Sequence, residues 1–275
     1  MNLNADDTTI YTSNEDPSSV GQQLEEDLGV IAGWINANSL KMNVAKTQLM
    51  VLCGKSRQES AQSVHVRICD RELPKKESVK YLGVKIDNTL NWKLHLDDVR
   101  KKCLAKIAMI RRAGACLPHN VRKMLYQLFV LPHLDYCLVV WHTCGATLTK
   151  RVERVQNCAM RMILQKPLRT RSNDLRTKLN MITLEQRRQI NMTCLVHRCL
   201  LSQAHSYVSS KFVTNSTFGY TNTRGRNKIH LKRPLSDFYQ STFEFQGSKL
   251  FNDLPENIRE IGNTRALRLA LKKLP

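Results

Sequence analysis

Apolar residues recur along this chain with two different periods, and the change from one to the other divides it. Val20, Leu24, Leu28, Ile31 and Ile35 lie four, four, three and four residues apart, which stacks them on one face of a helix over 17–37. Pro17 suits a first helical position after Asp16, and Glu25, Glu26 and Asp27 fall in the first half, where the helix dipole favours anions. Ahead of that helix, Asp6-Asp7 followed by the β-rich run Thr8 to Thr12 predicts a hairpin with acids at its tip. Behind it, Leu40 to Leu52 reads as a strand carrying Met42, Val44, Leu49 and Val51. Val64, Val66 and Ile68 alternate with His65, Arg67 and Cys69 in a period of two. Val79 to Asp87 reads as one further strand, with Gly83 allowing a bulge or a close backbone approach.

From about Trp92 onward the helical period takes over. Asp97 to Ala113 is expected as a basic amphipathic helix, and Pro118 precedes a second over Asn120–Leu131. Pro132 interrupts it, and Leu134 to Trp141 continues as an apolar segment too short to cross a bilayer, hence a buried helix. Leu148 to Leu164 has the cleanest stripe, Leu148, Val152, Val155, Ala159 and Met162, with Lys150, Arg151, Arg154 and Arg161 off it. A fourth helix spans Leu184 to Leu201 with Arg187 and Arg188 on its polar side, and 264–274 forms a last basic one. The Ser/Thr/Asn/Gly-rich stretch 202–233 is expected to be irregular. The fold class is therefore α+β: a small antiparallel sheet with one packed helix, then a mostly α-helical basic region. The divisions expected are 1–92, 93–200 and 201–275.

Charge sharpens this division. Residues 1–92 hold 10 Lys/Arg against 12 Asp/Glu, a net of −2, whereas 93–275 hold 33 against 11, so the helical part carries +22, more than the whole net charge of +20. Such asymmetry points to a polyanion, most simply RNA or DNA. Lys150, Arg151, Arg154, Arg161, Arg187 and Arg188 are the candidate phosphate contacts. No run of apolar residues is long enough for a membrane span. The nine cysteines, odd in number and scattered, suit an intracellular, reducing compartment, whether nucleus or cytoplasm, better than a disulfide framework. Cys194, His197 and Cys199 match no common zinc spacing and lack a fourth ligand, so buried thiols on a core helix are the expectation.

The order of short blocks resembles the reverse transcriptases of non-LTR (LINE-type) retrotransposons. Ala5-Asp6-Asp7-Thr8 resembles the acidic palm motif, and Trp34, Asn38, Leu40, Asn43 and Lys46-Thr47 the block after it. Tyr81-Leu82-Gly83-Val84 with Ile86-Asp87, Leu90, Trp92 and His95 resembles the block leading into the thumb. Leu131-Pro132 through Tyr136 and Trp141, then Gln156-Asn157-Cys158-Ala159-Met160-Arg161, resemble two thumb elements. Leu250-Phe251-Asn252-Asp253-Leu254-Pro255 with Ile258-Arg259 resembles the carboxy-terminal block. Asn4 departs from the aromatic residue usual before the alanine.

The resemblance implies a partial palm followed by a helical thumb and downstream region, and a lineage of RNA-directed DNA polymerases acting on primer–template with Mg²⁺. Asp6 and Asp7 are then the metal-binding and catalytic carboxylates, and Lys46 a contact near nucleotide or primer. Two-metal phosphoryl transfer in the family uses a third carboxylate, on an earlier palm strand, together with fingers. Neither is found in these 275 residues, so the expectation is a vestigial acid pair that holds no metal productively. The alternative is a non-enzymatic nucleic-acid-binding module using the basic helices.

Overall fold

The computed structural model describes residues 2–4, 7–54, 57–69, 71–114, 116–218, 225–234 and 236–274, with the side chains of 2–4, 7 and 58 excepted. The chain forms two compact units, Met1–His95 and Leu96–Pro275, and its class is α+β.

In the first unit, strands β1 (Asn2–Asn4) and β2 (Asp7–Thr9) pair antiparallel in the register Asn2↔Thr9, Leu3↔Thr8, Asn4↔Asp7. Helix α1 (Pro17–Ala37) starts where the sequence places it. The Asp16 carboxylate caps it, accepting from the Ser18 and Ser19 amides at 3.2 and 3.1 Å and from the Ser19 hydroxyl at 2.7 Å. Those bonds, the Ser19 hydroxyl first, hold the Asp16 carboxyl below the usual carboxylate range. Leu28, with Val20 and Leu24 beside it, closes an apolar cluster of Leu49, Val64, Val66, Ile68 and Leu73. Gly21 permits the approach: a Cβ there would lie 2.9 Å from the His65 carbonyl oxygen.

Two strand expectations need correction. Leu40 to Leu52 is not a strand; among the described residues it contributes one parallel bridge, Leu49↔Lys75. Asn43 explains the difference, because its carbonyl accepts from the Lys46 and Thr47 amides at 3.1 and 3.2 Å and its side-chain oxygen also takes the Lys46 amide. A local turn thereby takes the amides that a ladder would need. Likewise 79–87 is not one strand but a hairpin, β5 (Ser78–Tyr81) and β6 (Val84–Asp87), following helix α2 (Gln58–Gln62) and the pair β3 (Arg67–Ile68) and β4 (Arg71–Glu72). Leu82 and Gly83 form the two-residue turn with φ of 45° and 82°, the left-handed pair that matches strand twist. Val64, Val66 and Ile68 are all buried, so the period of two gives the facing correctly even though the ladder is only two residues long.

The second unit is helical. Helix α3 (Lys93–Ala113) begins in the last residues of the first unit and leads to α4 (His119–Phe129), α5 (Leu131–Asp135), α6 (Ala146–Leu164), α7 (Ser172–Leu179) and α8 (Leu184–Leu200). Four short helices follow, α9 (Ser206–Ser209), α10 (Asp237–Ser241), α11 (Phe243–Asn252) and α12 (Glu256–Arg259), and α13 (Thr264–Leu271) closes the chain. Leu134 to Trp141 is not one buried helix. After α5 the backbone extends at Tyr136, turns through a left-handed Cys137 (φ 51°) and enters a 3₁₀ turn at Val140–Thr143. Leu134, Leu138 and Trp141 are nonetheless fully buried.

Helix α8 is the spine of this unit. Thr183 and Gln186 form a reciprocal capping box at its start, which satisfies two of the amides a helix leaves unpaired. Helices α11 and α13 both pack on it. Gly247 lets α11 approach so closely that a Cβ would sit 2.8 Å from Val196 Cγ2. The described residues of the stretch 202–233, namely 202–218 and 225–233, are more ordered than their composition suggests. An antiparallel bridge joins Thr214 to Ile229, and Phe212 and Ile229 are core residues. Asn252 fixes that strand by accepting from the Ile229 amide at 2.8 Å and donating to the Ile229 carbonyl at 2.9 Å. An asparagine that satisfies both groups of one backbone residue is indistinguishable from a surface asparagine in sequence.

Candidate nucleic-acid interface

Helix α6 builds a basic surface from its own periodicity. Val152, Val155, Ala159, Met160, Met162 and Ile163 face inward and are buried, together with Gln156, whose amide donates to the Ile182 carbonyl at 3.0 Å. With that face fixed, Lys150, Arg151 and Arg154 are exposed, and none of the three makes an ion pair or hydrogen bond with another described residue. The surface continues onto α3, whose last turn carries exposed Arg111 and Arg112; Arg111 Nη2 lies 3.8 Å from Cys158 Sγ on α6. Arg161 is half-buried, and its Nη2 donates to the Thr170 carbonyl at 3.2 Å. Arg111 is legible as part of a basic helix, but only its contact with Cys158 adds it to this surface.

The two arginines of α8 have a different setting. Arg187 Nη1 is 3.3 Å from Asp135 Oδ2, a pair with side-chain exposures of 22% and 32%. Burial raises the Asp135 carboxyl pKa, and Arg187 and then Arg268 offset part of that rise. Arg188 is buried, 3.2 Å from Glu185 Oε2, with its guanidinium carbon 5.4 Å from the centre of the Trp141 ring. His142 lies close by, its ring nitrogens 2.6 Å from the Val139 carbonyl oxygen and 2.9 Å from that of Ser241. Burial lowers the His142 pKa and the Arg188 charge adds to that; the two carbonyls and Glu185 act in the opposite direction without offsetting it.

In the first unit, Asp6 lies outside the described residues, as does the side chain of Asp7, whose backbone pairs with Asn4 in β2. Lys46 is exposed on the Asn43 turn. Asp87, the acid of the Ile86-Asp87 pair, is structural. Its Oδ1 accepts from the Thr89 hydroxyl at 2.7 Å and from the Thr89 and Asn91 amides at 3.2 and 3.0 Å, while Oδ2 accepts from the Trp92 amide at 3.0 Å. Burial alone would raise its pKa, but these bonds together hold it below the usual carboxylate value. They also hold Leu90 and Trp92 at φ of 54° and 65°, conformations costing about 1–2 kcal/mol each for residues with a Cβ.

All nine cysteines are free thiols. Cys194 and Cys199 face separate apolar clusters, and His197 is taken up by the Thr264 hydroxyl at 2.8 Å and the Ile261 carbonyl at 2.6 Å. Among the described residues no group of three His, Cys, Asp or Glu side chains could hold a metal ion, and no helix is long and apolar enough to cross a membrane.

No family model and no solved structure matches the chain. Three polymerases of Drosophila melanogaster mobile elements do match it in sequence. The probable RNA-directed DNA polymerase from transposon BS is 25% identical over 212 residues, covering 76% of this chain and 23% of the relative. The RNA-directed DNA polymerase from mobile element jockey is 21% identical over 190 residues, 67% of this chain and 20% of the relative. The probable RNA-directed DNA polymerase from transposon X-element is 20% identical over 183 residues, 66% of this chain and 20% of the relative. This chain thus spans roughly a fifth of the length of each. In sequence, it is similar to RNA-directed DNA polymerases of mobile elements.

Proposed function

We propose that the chain is a segment of such a polymerase whose helical unit grips the primer–template duplex. The observation that carries this reading is the unpaired cation row Lys150, Arg151 and Arg154 exposed on α6, with Arg111 of α3 against Cys158 of the same helix, in a chain similar in sequence to RNA-directed DNA polymerases. Cations with no intramolecular partner can give their full charge to phosphates, which position a duplex without reading its sequence. In this reading the helical unit is the thumb and the first unit the palm portion that brings Asp6 and Asp7. Two carboxylates are hard oxygen donors suited to Mg²⁺, which would neutralise charge on the transferring phosphate. Lys46, exposed on its turn, is proposed as a primer-side contact. Arg161, Arg187 and Arg188 support the fold of the gripping surface through the contacts already described.

By themselves these 275 residues are expected to bind and not to polymerise, because two carboxylates lack the third that the family's metal site uses. Binding is tested by fluorescence anisotropy on an RNA–DNA hybrid between about 50 and 200 mM salt, where affinity should fall steeply. A flat salt response would remove the proposal. Primer extension with Mg²⁺ or Mn²⁺ tests the second part: incorporation above that of an Asp6→Ala, Asp7→Ala control would show the chain to be active alone.

A further inference from the structure

The turn between α6 and α7 places an apolar side chain where folding has no use for it. Helix α6 is capped after Leu164 by Gln165, in the left-handed conformation at φ 49°, and the Thr170 amide donates to the Pro167 carbonyl at 3.1 Å. Leu168 and Arg169 are therefore the two central residues of a β-turn. Leu168 is 82% exposed, more than any other large apolar residue among those described. Lys166, Arg169 and Arg171 around it are exposed and make no ion pair with a described residue. The turn is anchored from below by Arg161, which holds the Thr170 carbonyl. A polar residue would serve a solvent-facing turn equally well.

We propose that this turn is a wedge for a nucleic-acid duplex: Leu168 enters between base pairs at a step while Lys166, Arg169 and Arg171 hold the flanking phosphates. This rests on the duplex-gripping reading of α6 and extends it, since the turn lies at the C-terminal end of the same helix. Aliphatic side chains flanked by cations act on duplexes by opening base steps. Single strands are held instead by aromatic side chains that stack on free bases, and no aromatic residue lies between Gln165 and Arg171. A bilayer would gain little from one leucine, because even a whole myristoyl chain anchors only marginally.

The test uses the full 275-residue chain and an RNA–DNA hybrid carrying 2-aminopurine, whose fluorescence rises when it unstacks. The wild-type chain should raise that fluorescence. Leu168→Ser should abolish the rise and weaken hybrid binding roughly tenfold, while Leu168→Met keeps both. Since Leu168 is solvent-exposed, its circular dichroism should match wild type. Tight hybrid binding without the rise, or a rise that Leu168→Ser retains, overturns the wedge and leaves the gripping surface standing. Loss of all salt-dependent hybrid binding by the wild-type chain overturns both. If Leu168→Ser impairs binding to phosphatidylcholine–phosphatidylserine vesicles and not to the hybrid, the turn is a membrane contact and the wedge is wrong.

Discussion

Helices α6 and α8 carry arginines in nearly the same sequence pattern, set off an apolar stripe, yet the fold uses them in different ways. Helix α6 packs against α4 and α7, and its exposed Lys150, Arg151 and Arg154 keep their charge for solvent or a ligand. On α8, Arg187 meets Asp135 of α5, and Arg188 meets Glu185 one turn earlier on the same helix and the Trp141 ring. A cation that meets a carboxylate or an aromatic ring is a structural cation. A cation left without such partners is available for phosphate, which on α6 holds for Lys150, Arg151 and Arg154 and not for Arg161, held by the Thr170 carbonyl.

The largest expected effect separates the two helices by binding. Changing Lys150, Arg151 and Arg154 together to Ala should weaken hybrid binding about 100-fold at low salt and make the slope of log affinity on log salt shallower by about 2–3, read by anisotropy titrations. The fold should be unaffected, because none of the three is buried. Arg188→Met should do the reverse: stability falls by about 2 kcal/mol in urea melts, with the salt slope unchanged. If Arg188→Met flattens the slope as the α6 triple variant does, the contrast between the helices is broken. The Arg187–Asp135 pair is smaller in effect. A double-mutant cycle with Arg187→Met and Asp135→Ala should give a coupling of about 1 kcal/mol, since both partners are still partly solvated.

The smallest effect is a pH dependence from His142, beside Arg188. Its pKa in the fold lies below the ordinary 6.5, so between the two values the unfolded chain binds the proton more readily. Stability is therefore intact above the unfolded value and falls as pH drops through the folded one. Thermal melts should show a slight fall in Tm below pH 6.5 that His142→Gln reduces. A Tm that rises on acidification would mean that the two carbonyls, and not burial and Arg188, govern the ring.

Much of the helical half was legible because a period of 3.6 survives in sequence wherever one face of a helix is buried. Helix α6 was expected over 148–164 and spans Ala146–Leu164; α8 was expected to end at Leu201 and ends at Leu200. The strands were less legible. The turn at Asn43 and the left-handed pair at Leu82-Gly83 depend on which amides find a local acceptor, and neither changes the hydrophobic pattern. The roles of Asp87 and Asn252 were hidden for a related reason, as each satisfies backbone groups that the residue type does not announce. The α6–α7 turn leaves no signal in sequence, because a lone leucine among cations has no period to detect.

Sequence alone determined the division in charge, the helix faces and the similarity to mobile-element polymerases, because these depend on residue order and local period. Only the tertiary structure decided which cations are free. That depends on which neighbours a helix acquires, and a guanidinium's availability is set by the carboxylates and rings brought within a few ångströms of it by segments far away in the chain.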